Sequence, residues 1–318
     1  ESEIKIVEKQ GRVTAQVGGK EVWTYQRANA LHPAGIDPVY RRSGFLHPLR
    51  TPSGRVVTND FAPDHPHQHG VFFAWTNTAF RGKAMNFWDQ LQKTARVESL
   101  PEFRAPTEER SAPSVSFALR HEDITAGEDR PATVLNERWV VTTYPRRSPY
   151  LVDLESIQVT ASDDPLVINK YHYGGLGVRG NGVWSDPEAK GEDPPDPSRC
   201  GESEFLTSEG KTRADGNHTR PRWVDIHGEV DGAFAGLAVL QHPSNFRFPQ
   251  PVRLHPNMPY FSVAPAVLGG FKIEPGTPYR SRYRLVIHDG KPDPRELDRL
   301  WNDYAEPPTV RVVEGDTP

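Results

Sequence analysis

Hydrophobic and polar residues alternate along much of this chain, and alternation with a period of two is typical of β-strands that bury one face. The three longest alternating runs, residues 115–121, 133–144 and 151–161, are also rich in β-branched side chains. Shorter β-like runs occur at residues 4–7, 12–17, 21–25, 166–171, 222–230, 234–240, 260–264 and 280–287, and the continuous apolar run 71–75 is typical of a buried strand. The pattern therefore predicts many antiparallel strands joined by turns, with tight turns at Gly18-Gly19 and Asp231-Gly232.

Only one segment has the spacing of a helix. Its apolar side chains share one helical face, and they are Leu297, Leu300, Trp301 and Tyr304. Asp293 and Glu296 form a capping box at its start, Pro294 occupies the first helical position, and Pro307-Pro308 ends it. A single helix after about a dozen strands predicts an all-β fold, a large antiparallel β-sandwich with one C-terminal helix.

No linker or internal repeat divides the chain, so we expect a single β-sandwich domain over residues 1–318. One long polar segment, residues 184–220, contains Pro194-Pro195 and no strand-like run. A structureless stretch of that length in a compact domain is usually a functional loop or lid. We therefore predict a long loop or lid at about residues 184–220.

Composition narrows the choice of partners. The chain has 318 residues with 38 Lys+Arg and 42 Asp+Glu, a formal net charge of -4, and the charges are interspersed. That balance predicts no nucleic-acid partner. No apolar run approaches the length needed to cross a bilayer, so membrane insertion is not expected. The single cysteine, Cys200, cannot form a disulfide within the chain, and nothing in the composition indicates an oligomeric state.

The densest chemistry lies in Asp64-His65-Pro66-His67-Gln68-His69-Gly70, which holds three of the twelve histidines. Histidine exchanges protons near neutral pH and is also the commonest metal ligand. On an extended segment His65, His67 and His69 share one face. The following residues, 70–77, lack the glutamate that a cupin-like metal site needs. We therefore expect His67 and His69 to act as acid or base without a cofactor. A metal ion held by His65, His67, His69 and Asp64 is the alternative.

A second candidate stretch, residues 170–180, contains Tyr171, His172 and Arg179 among four glycines. Tyr171 and His172 are candidate proton-transfer groups opposite the first histidines, and Arg179 is a candidate clamp for an anionic or hydroxyl group. The glycines fit either a close approach of the backbone to a ligand or a bulge and turn. The stretch lacks the residue order of a phosphate-binding loop.

Single residues elsewhere complete the predicted site. Trp75, at the end of an apolar run, and Trp88, in a polar and aromatic loop, are candidates for stacking on a sugar ring. His255 lies in a loop after a strand, where binding residues are often found. Glu137 alternates within a strand and faces either a cleft or solvent. The predicted substrate-binding set is Asp64, Trp75, Trp88, Arg179, His255 and Glu137.

Four motifs span nearly the whole chain: Phe45-Leu46-His47-Pro48-Leu49-Arg50-Thr51-Pro52-Ser53-Gly54, the histidine run, Tyr173-Gly174-Gly175-Leu176-Gly177-Val178-Arg179 and Ile287-His288-Asp289-Gly290. Together they resemble the PmoA-like family of bacterial domains. That resemblance implies a protein of polysaccharide-degrading bacteria, periplasmic or extracellular, with its signal peptide removed. The strand-rich pattern is similar to the galactose-mutarotase-like supersandwich, which epimerases, lyases and hydrolases share.

The residues and the resemblance together indicate a carbohydrate-active enzyme of hydrolase, lyase or epimerase type, which uses histidine acid–base chemistry on a carbohydrate substrate. A hydrolase would need two carboxylates, for which Asp64 and Glu137 are the candidates. Two alternatives are kept. A metal-dependent enzyme would use the histidine run as ligands, and a non-catalytic glycan-binding module would bind a sugar without converting it.

Overall fold

The computed structural model describes residues 3–29, 33–105, 112–186, 188, 196 and 198–307. The strands up to residue 104 are β1 (Ile4–Lys9), β2 (Arg12–Val17), β3 (Lys20–Gln26), β4 (Phe45–Leu49), β5 (Asp60–Ala62), β6 (His65–His69), β7 (Val71–Ala74), β8 (Thr78–Phe80), β9 (Lys83–Met85) and β10 (Ala95–Arg104). The later strands are β11 (Ser114–Asp123), β12 (Ala132–Thr143), β13 (Tyr150–Thr160), β14 (Leu166–Ile168), β15 (Gly175–Arg179), β16 (Ser203–Thr207), β17 (Trp223–Val230), β18 (Ala233–Gln241), β19 (Val252–Leu254), β20 (Tyr260–Val263), β21 (Phe271–Ile273) and β22 (Tyr279–Asp289). The helix α1 (Pro294–Ala305) follows, and short 3-10 helices lie at Pro38–Tyr40, Gln90–Gln92, Gly182–Trp184 and Pro265–Leu268.

Two eight-stranded antiparallel sheets contain most of these strands. The first sheet has the order β1-β2-β3-β4-β7-β15-β20-β19, and the second has the order β10-β11-β12-β13-β22-β18-β17-β16. A four-stranded sheet, β21-β14-β8-β9, and the β5–β6 hairpin complete the fold. One continuous apolar core draws side chains from both large sheets. The predicted all-β antiparallel sandwich with one C-terminal helix is therefore confirmed.

Strand β12 shows how the sequence pattern builds this core. Trp139 and Val141 are buried and alternate with neighbours that are exposed or half-buried. From the opposite sheet, Tyr25 stacks on Phe117 with the ring centroids 3.7 Å apart. Burial of one such large side chain contributes about 1.5–3 kcal/mol. The alternating faces of the two sheets therefore supply the main force that holds them together.

Helix α1 covers the outer face of the second sheet. Its buried side chains Leu297, Leu300 and Tyr304 pack against a separate apolar cluster that includes Trp223. Asp293 caps the helix by accepting a hydrogen bond from the backbone N–H of Arg295 at 3.0 Å. The predicted capping box is only half formed, because the carboxylate of Glu296 binds Arg146 and Arg299 instead. No helix in the described part of the chain has the length and apolarity that a bilayer crossing requires.

The glycine-rich stretch after Tyr173 is a strand rather than a turn. Strand β15 is buried along its length and pairs with β7 on one side and β20 on the other. A Cβ atom at Gly177 would lie 2.7 Å from the rings of Phe72 and Trp88. The glycine therefore lets aromatic rings, rather than a ligand, approach the backbone. Close approach of a ligand, one of the two interpretations left open for these glycines, does not apply at Gly177.

The predicted lid at residues 184–220 also differs from the structure. Residues 187, 189–195 and 197, which include Pro194-Pro195, lie outside the described residues. The described part contains a strand, β16, which pairs with β17 at the edge of the second sheet. Trp184, at the start of the segment, is fully buried. At least part of the segment therefore belongs to the sandwich. The polar composition of the segment did not indicate this strand.

Candidate functional site

The histidine run forms β6, a short strand that pairs with β5 in a hairpin. Two positions fix its course. Gly70 has φ +50°, and a Cβ there would lie 2.1 Å from the carbonyl oxygen of Leu46, so only glycine fits between the hairpin and the first sheet. The backbone N–H of Arg179 donates to the Gly70 carbonyl at 2.7 Å. The hairpin is therefore held against β4 and β15.

The side chain of Arg179 binds the same hairpin. Its guanidinium is fully buried and donates to both carboxylate oxygens of Asp64 at 2.8 and 2.9 Å, to Oε1 of Gln68 at 2.9 Å and to Oγ of Ser185 at 2.8 Å. Burial alone would raise the pKa of Asp64, but contacts with His65 and Arg179 hold that pKa well below its usual range. Arg179 was predicted to bind substrate. That prediction is corrected, because both terminal nitrogens of its guanidinium bind the protein itself and position β6.

Four histidines from three regions of the chain line one cavity of about 90 Å³, which we call the histidine cavity. They are His65 and His67 on β6, His172 before β15 and His255 after β19. Other lining residues include Trp88, Tyr173, Arg253 and Tyr260. The ring of His65 lies 5.4 Å from that of His67 and 6.4 Å from that of His255, between centroids. The hairpin thus brings its histidines to the β15-β20-β19 end of the first sheet.

Burial sets the protonation of two of these histidines. It lowers the pKa of His67 to about 4, with a further lowering by His65 and a partial offset by Asp89. It lowers the pKa of His255 to about 3, helped by the nearby charges of Arg253, His65 and Arg179. Both imidazoles are therefore neutral at neutral pH, and each has a nitrogen that can accept a proton.

Two carboxylates lie behind the β6 histidines. Asp64 Oδ2 is 3.5 Å from Nδ1 of His65, and Asp89 Oδ1 is 4.0 Å from Nδ1 of His67. Asp64 and Arg179 also line a neighbouring open cavity of about 730 Å³. With Nδ1 directed at a carboxylate, Nε2 lies on the opposite side of each ring. The arrangement suits proton transfer, because an adjacent carboxylate both orients an imidazole and favours its protonated form.

The structure separates His69 from the other β6 histidines. Its ring is fully buried, its Nδ1 lies 2.6 Å from Oδ1 of Asp60, and it packs on Phe45 and Phe61. Burial lowers its pKa against the pull of Asp60. The predicted catalytic role of His69 is therefore corrected to a structural one. Tyr171 does not line the cavity either, and its ring packs on His172 and Tyr173 with centroids 4.3 and 5.0 Å away.

Three predicted substrate contacts, Trp75, Trp88 and Glu137, are buried inside the protein. Trp75 is fully buried, donates from Nε1 to Oε1 of Gln158 at 2.7 Å and packs on Phe271 and Tyr279, so it cannot stack on a sugar. Glu137 faces neither cleft nor solvent. It lies inside the sandwich, where its carboxylate accepts hydrogen bonds from four side chains, those of His121, Trp139, Ser156 and Gln158. A buried charge needs such partners, and its role is structural.

The described residues contain no group of three or more His, Cys, Asp or Glu side chains arranged to hold a metal ion. On β6 the reason is visible, because Nδ1 of His69 is bonded to Asp60 while Asp64 is bonded to Arg179. The alternative in which His65, His67, His69 and Asp64 share one metal therefore does not fit this geometry.

A second group of histidines lies outside the predicted site, and we call it the outer histidine cluster. Asp225 is fully buried and accepts hydrogen bonds from Nδ1 of His227 at 2.7 Å and from Nε2 of His288 at 2.8 Å. Gly236 lies between the two histidines on β18, and a Cβ there would come within 2.6 Å of the His288 ring. Burial would lower the pKa of His288, but Asp225 raises it above its usual value.

The sequence contained a signal for this cluster. Trp223, Asp225 and His227 are at every second position of β17, so their side chains lie on one face of the sheet. Helix α1 covers that face. Asp89 could also have been recognised, because it directly follows Trp88 in the loop considered for stacking. Its role depends on the distance to His67, which sequence spacing does not show.

The fold and the cavity define an antiparallel β-sandwich protein with a histidine-lined cavity at one end of a large sheet. The chain belongs to the Family of unknown function (DUF6807), whose model matches residues 12–302. The resemblance to the PmoA-like family stays a prediction, and no curated protein matches the sequence.

Several solved structures show a distant likeness. A galactose mutarotase related enzyme from Lactobacillus acidophilus is 11% identical with a TM-score of 0.37, and the match covers 91% of this chain and 100% of that one. The GH36 α-galactosidase AgaB from Geobacillus stearothermophilus is 8% identical with a TM-score of 0.41, covering 91% of this chain and 41% of that one. The GH36 α-galactosidase AgaA from the same organism is 8% identical with a TM-score of 0.39, and the match covers 91% of this chain and 41% of that one. This chain therefore spans less than half of each galactosidase.

Proposed function

We propose that this protein is a carbohydrate-active enzyme that transfers protons to and from a sugar held at the histidine cavity. One observation carries the proposal: His65, His67, His172 and His255 line a single cavity although they lie in three separate regions of the sequence. Lowered pKa values keep His67 and His255 neutral and able to accept a proton at neutral pH. Proton transfer by positioned imidazoles is the chemistry that such a group supplies.

The wall of the cavity supports a sugar as the substrate. Trp88 and Tyr260 are almost fully buried, so the predicted stacking of Trp88 on a sugar is corrected to core packing. They pack behind the half-buried Tyr173, whose ring centroid is 5.3 Å from that of Trp88, and Tyr173 supplies the aromatic edge beside the imidazoles. Sugar rings present apolar C–H faces and hydroxyl groups together, and this pairing of aromatic and polar groups complements both. A volume of about 90 Å³ equals roughly three water volumes, so it admits the reacting edge of a sugar rather than the whole ring.

The test compares substitutions inside and outside the cavity. The parent protein is incubated in D₂O with a panel of hexoses, uronic acids and disaccharides, and NMR follows anomer exchange, epimerisation, elimination and hydrolysis. We expect His67→Gln and His255→Gln to lower the rate by roughly 100-fold, because glutamine fills a similar space but accepts no proton. His242→Gln is the matched control, since His242 is outside the cavity lining, where its Nδ1 bonds Ser244 and its ring packs on Tyr304.

Unfolding midpoints and circular dichroism establish that each variant folds. Unchanged turnover in both cavity variants would contradict the proposal. Saturable sugar binding by the parent without conversion of any sugar would instead favour the glycan-binding module.

A further inference from the structure

The loop that carries Trp88 also holds a carboxylate against the cavity. Asp89 accepts a hydrogen bond from the backbone N–H of Leu91 at 3.1 Å and so caps the short helix Gln90–Gln92. Asn86 Oδ1 accepts from the backbone N–H groups of Trp88 and Asp89, both at 2.9 Å. The position of Asp89 is therefore set by its own loop and does not depend on His67.

His67 lies directly beside this carboxylate. Its side chain is 17% exposed, and its Nδ1 is 4.0 Å from Oδ1 of Asp89. The other titratable and charged groups that face it are His65 and His69 from its own strand, Arg179 from β15, and Tyr40, whose ring centroid is 6.4 Å away. Among these groups, Asp89 is the one that favours a positive charge on His67, whereas His65, His69 and Arg179 oppose it.

The remaining histidines with a described electrostatic environment differ from His67. His255 is near Arg253, Arg179 and Arg213, all of which disfavour its protonation. The carboxylate next to His65 is that of Asp64, and both of its oxygens accept hydrogen bonds from Arg179. A carboxylate that is already bonded to a guanidinium offers less stabilisation to an imidazolium. His67 is therefore the imidazole best placed to become charged during a reaction.

We propose that His67 is the proton acceptor of this site and that Asp89 is its positioning residue, a role that rests on the proposed function. In the step, a sugar O–H or C–H proton moves to Nε2 of His67, and the bonding electron pair remains on the sugar atom. The Asp89 carboxylate stays ionised, orients the ring through Nδ1 and stabilises the imidazolium. The 4.0 Å separation shortens as the charge forms, which is common for catalytic contacts that are long in the absence of substrate.

The test uses Asp89→Asn, with Asp37→Asn as the matched control. Asp37 caps the neighbouring helix Pro38–Tyr40 in the same way, by accepting from the backbone N–H of Val39 at 2.9 Å. Asparagine caps helices about as well as aspartate, so both variants keep their caps and only the first loses the charge beside His67. His67→Gln assigns the His67 resonance in an imidazole NMR titration, which requires no substrate.

We expect Asp89→Asn to lower the pKa of His67 further and to reduce kcat/KM roughly 10- to 100-fold. The acidic limb of the pH profile of kcat/KM should move to lower pH, and Asp37→Asn should change neither quantity. An unchanged His67 titration in Asp89→Asn overturns the inference. If the titration responds but the parent converts no sugar, the proposed function fails while the pairing of His67 with Asp89 stands.

Discussion

The histidine cavity and the outer histidine cluster combine the same residue types in different arrangements. In the outer cluster one carboxylate, Asp225, lies between two imidazoles and accepts a hydrogen bond from each. In the cavity the imidazoles contact one another, and the carboxylates behind His65 and His67 are 3.5 and 4.0 Å away. Asp225 raises the pKa of His288, whereas burial lowers the pKa of His67.

The comparison shows that burial alone does not determine the charge of a histidine. His288 and His67 are both largely withdrawn from water, and desolvation is the largest influence on each pKa. For His288 the direct hydrogen bond to Asp225 outweighs desolvation, whereas for His67 the carboxylate 4.0 Å away does not. In the fully buried His69 even the contact with Asp60 at 2.6 Å does not outweigh desolvation, so the distance to a carboxylate and the depth of burial act together. The outer cluster therefore favours the charged form of His288, and the cavity keeps His67 and His255 neutral.

The largest expected effect comes from removing the central charge of the outer cluster. Asp225→Asn leaves the buried His288 without its partner, and breaking a buried ion pair in this way costs about 3–5 kcal/mol. Urea unfolding measures the loss. Asp231→Asn serves as the control, because Asp231 lies in the adjacent turn at φ +50°, which asparagine also adopts. Equal stability of the two variants would show that Asp225 and His288 do not form a structural ion pair.

A smaller effect is expected when the space between the two outer histidines is filled. In Gly236→Ala the new Cβ would lie 2.6 Å from Cε1 and 2.7 Å from Nε2 of His288, and 2.9 Å from Cβ of His227. The rings must move apart, which weakens their bonds to Asp225. We expect a loss of about 1–3 kcal/mol, as for other overpacked sites, again measured by urea unfolding. A neutral result would mean that the cluster tolerates a wider spacing.

The smallest effect is a change in the pH dependence of stability. Unfolded histidines bind protons below about pH 6.5, while folded His67 stays neutral down to about pH 4, so its burial makes the free energy of unfolding fall as pH drops through that window. The His288 ion pair contributes fully below pH 6.5 and is lost as pH rises through its raised pKa. His67→Gln should flatten the acidic side of the curve, and His288→Gln should flatten the alkaline side. Urea unfolding measured across this pH range gives both slopes. If either variant leaves its slope unchanged, or if each changes the other side of the curve, the two pKa values are not shifted in opposite directions.

Much of the fold could be predicted from local pattern. Strands β11, β12 and β13 were found because their side chains alternate and are β-branched, and α1 was found from its apolar spacing. Strand β15 was missed because glycine has low strand propensity. Gly177 makes room for Phe72 and Trp88, and Gly175 makes room for the carbonyl of Val263, and all three neighbours are distant in sequence.

The site was only partly predictable, because it depends on contacts between distant residues. The histidine run identified His67, but a continuous apolar run such as Val71–Ala74 has no alternation that would assign Trp75 to the core. Period two placed His69 beside His67, and the approach of Asp60 removed it from the cavity. The convergence of His67, His172 and His255 follows from the order of strands in the first sheet and from the contact of the β5–β6 hairpin with that sheet, and no local pattern encodes either.

The bonds from Arg179 also have a consequence for the order of assembly. They join β15 to Asp64 and Gln68 across 115 and 111 residues of sequence. Closing so long a loop is entropically costly until the intervening strands are in place. As the chain is synthesised, β5 can pair with the strand bearing His67 early, but the bonds from Arg179 can form only after β15 has been made. The cavity is completed late, so a chain that stalls partway through folding has the histidines without the site.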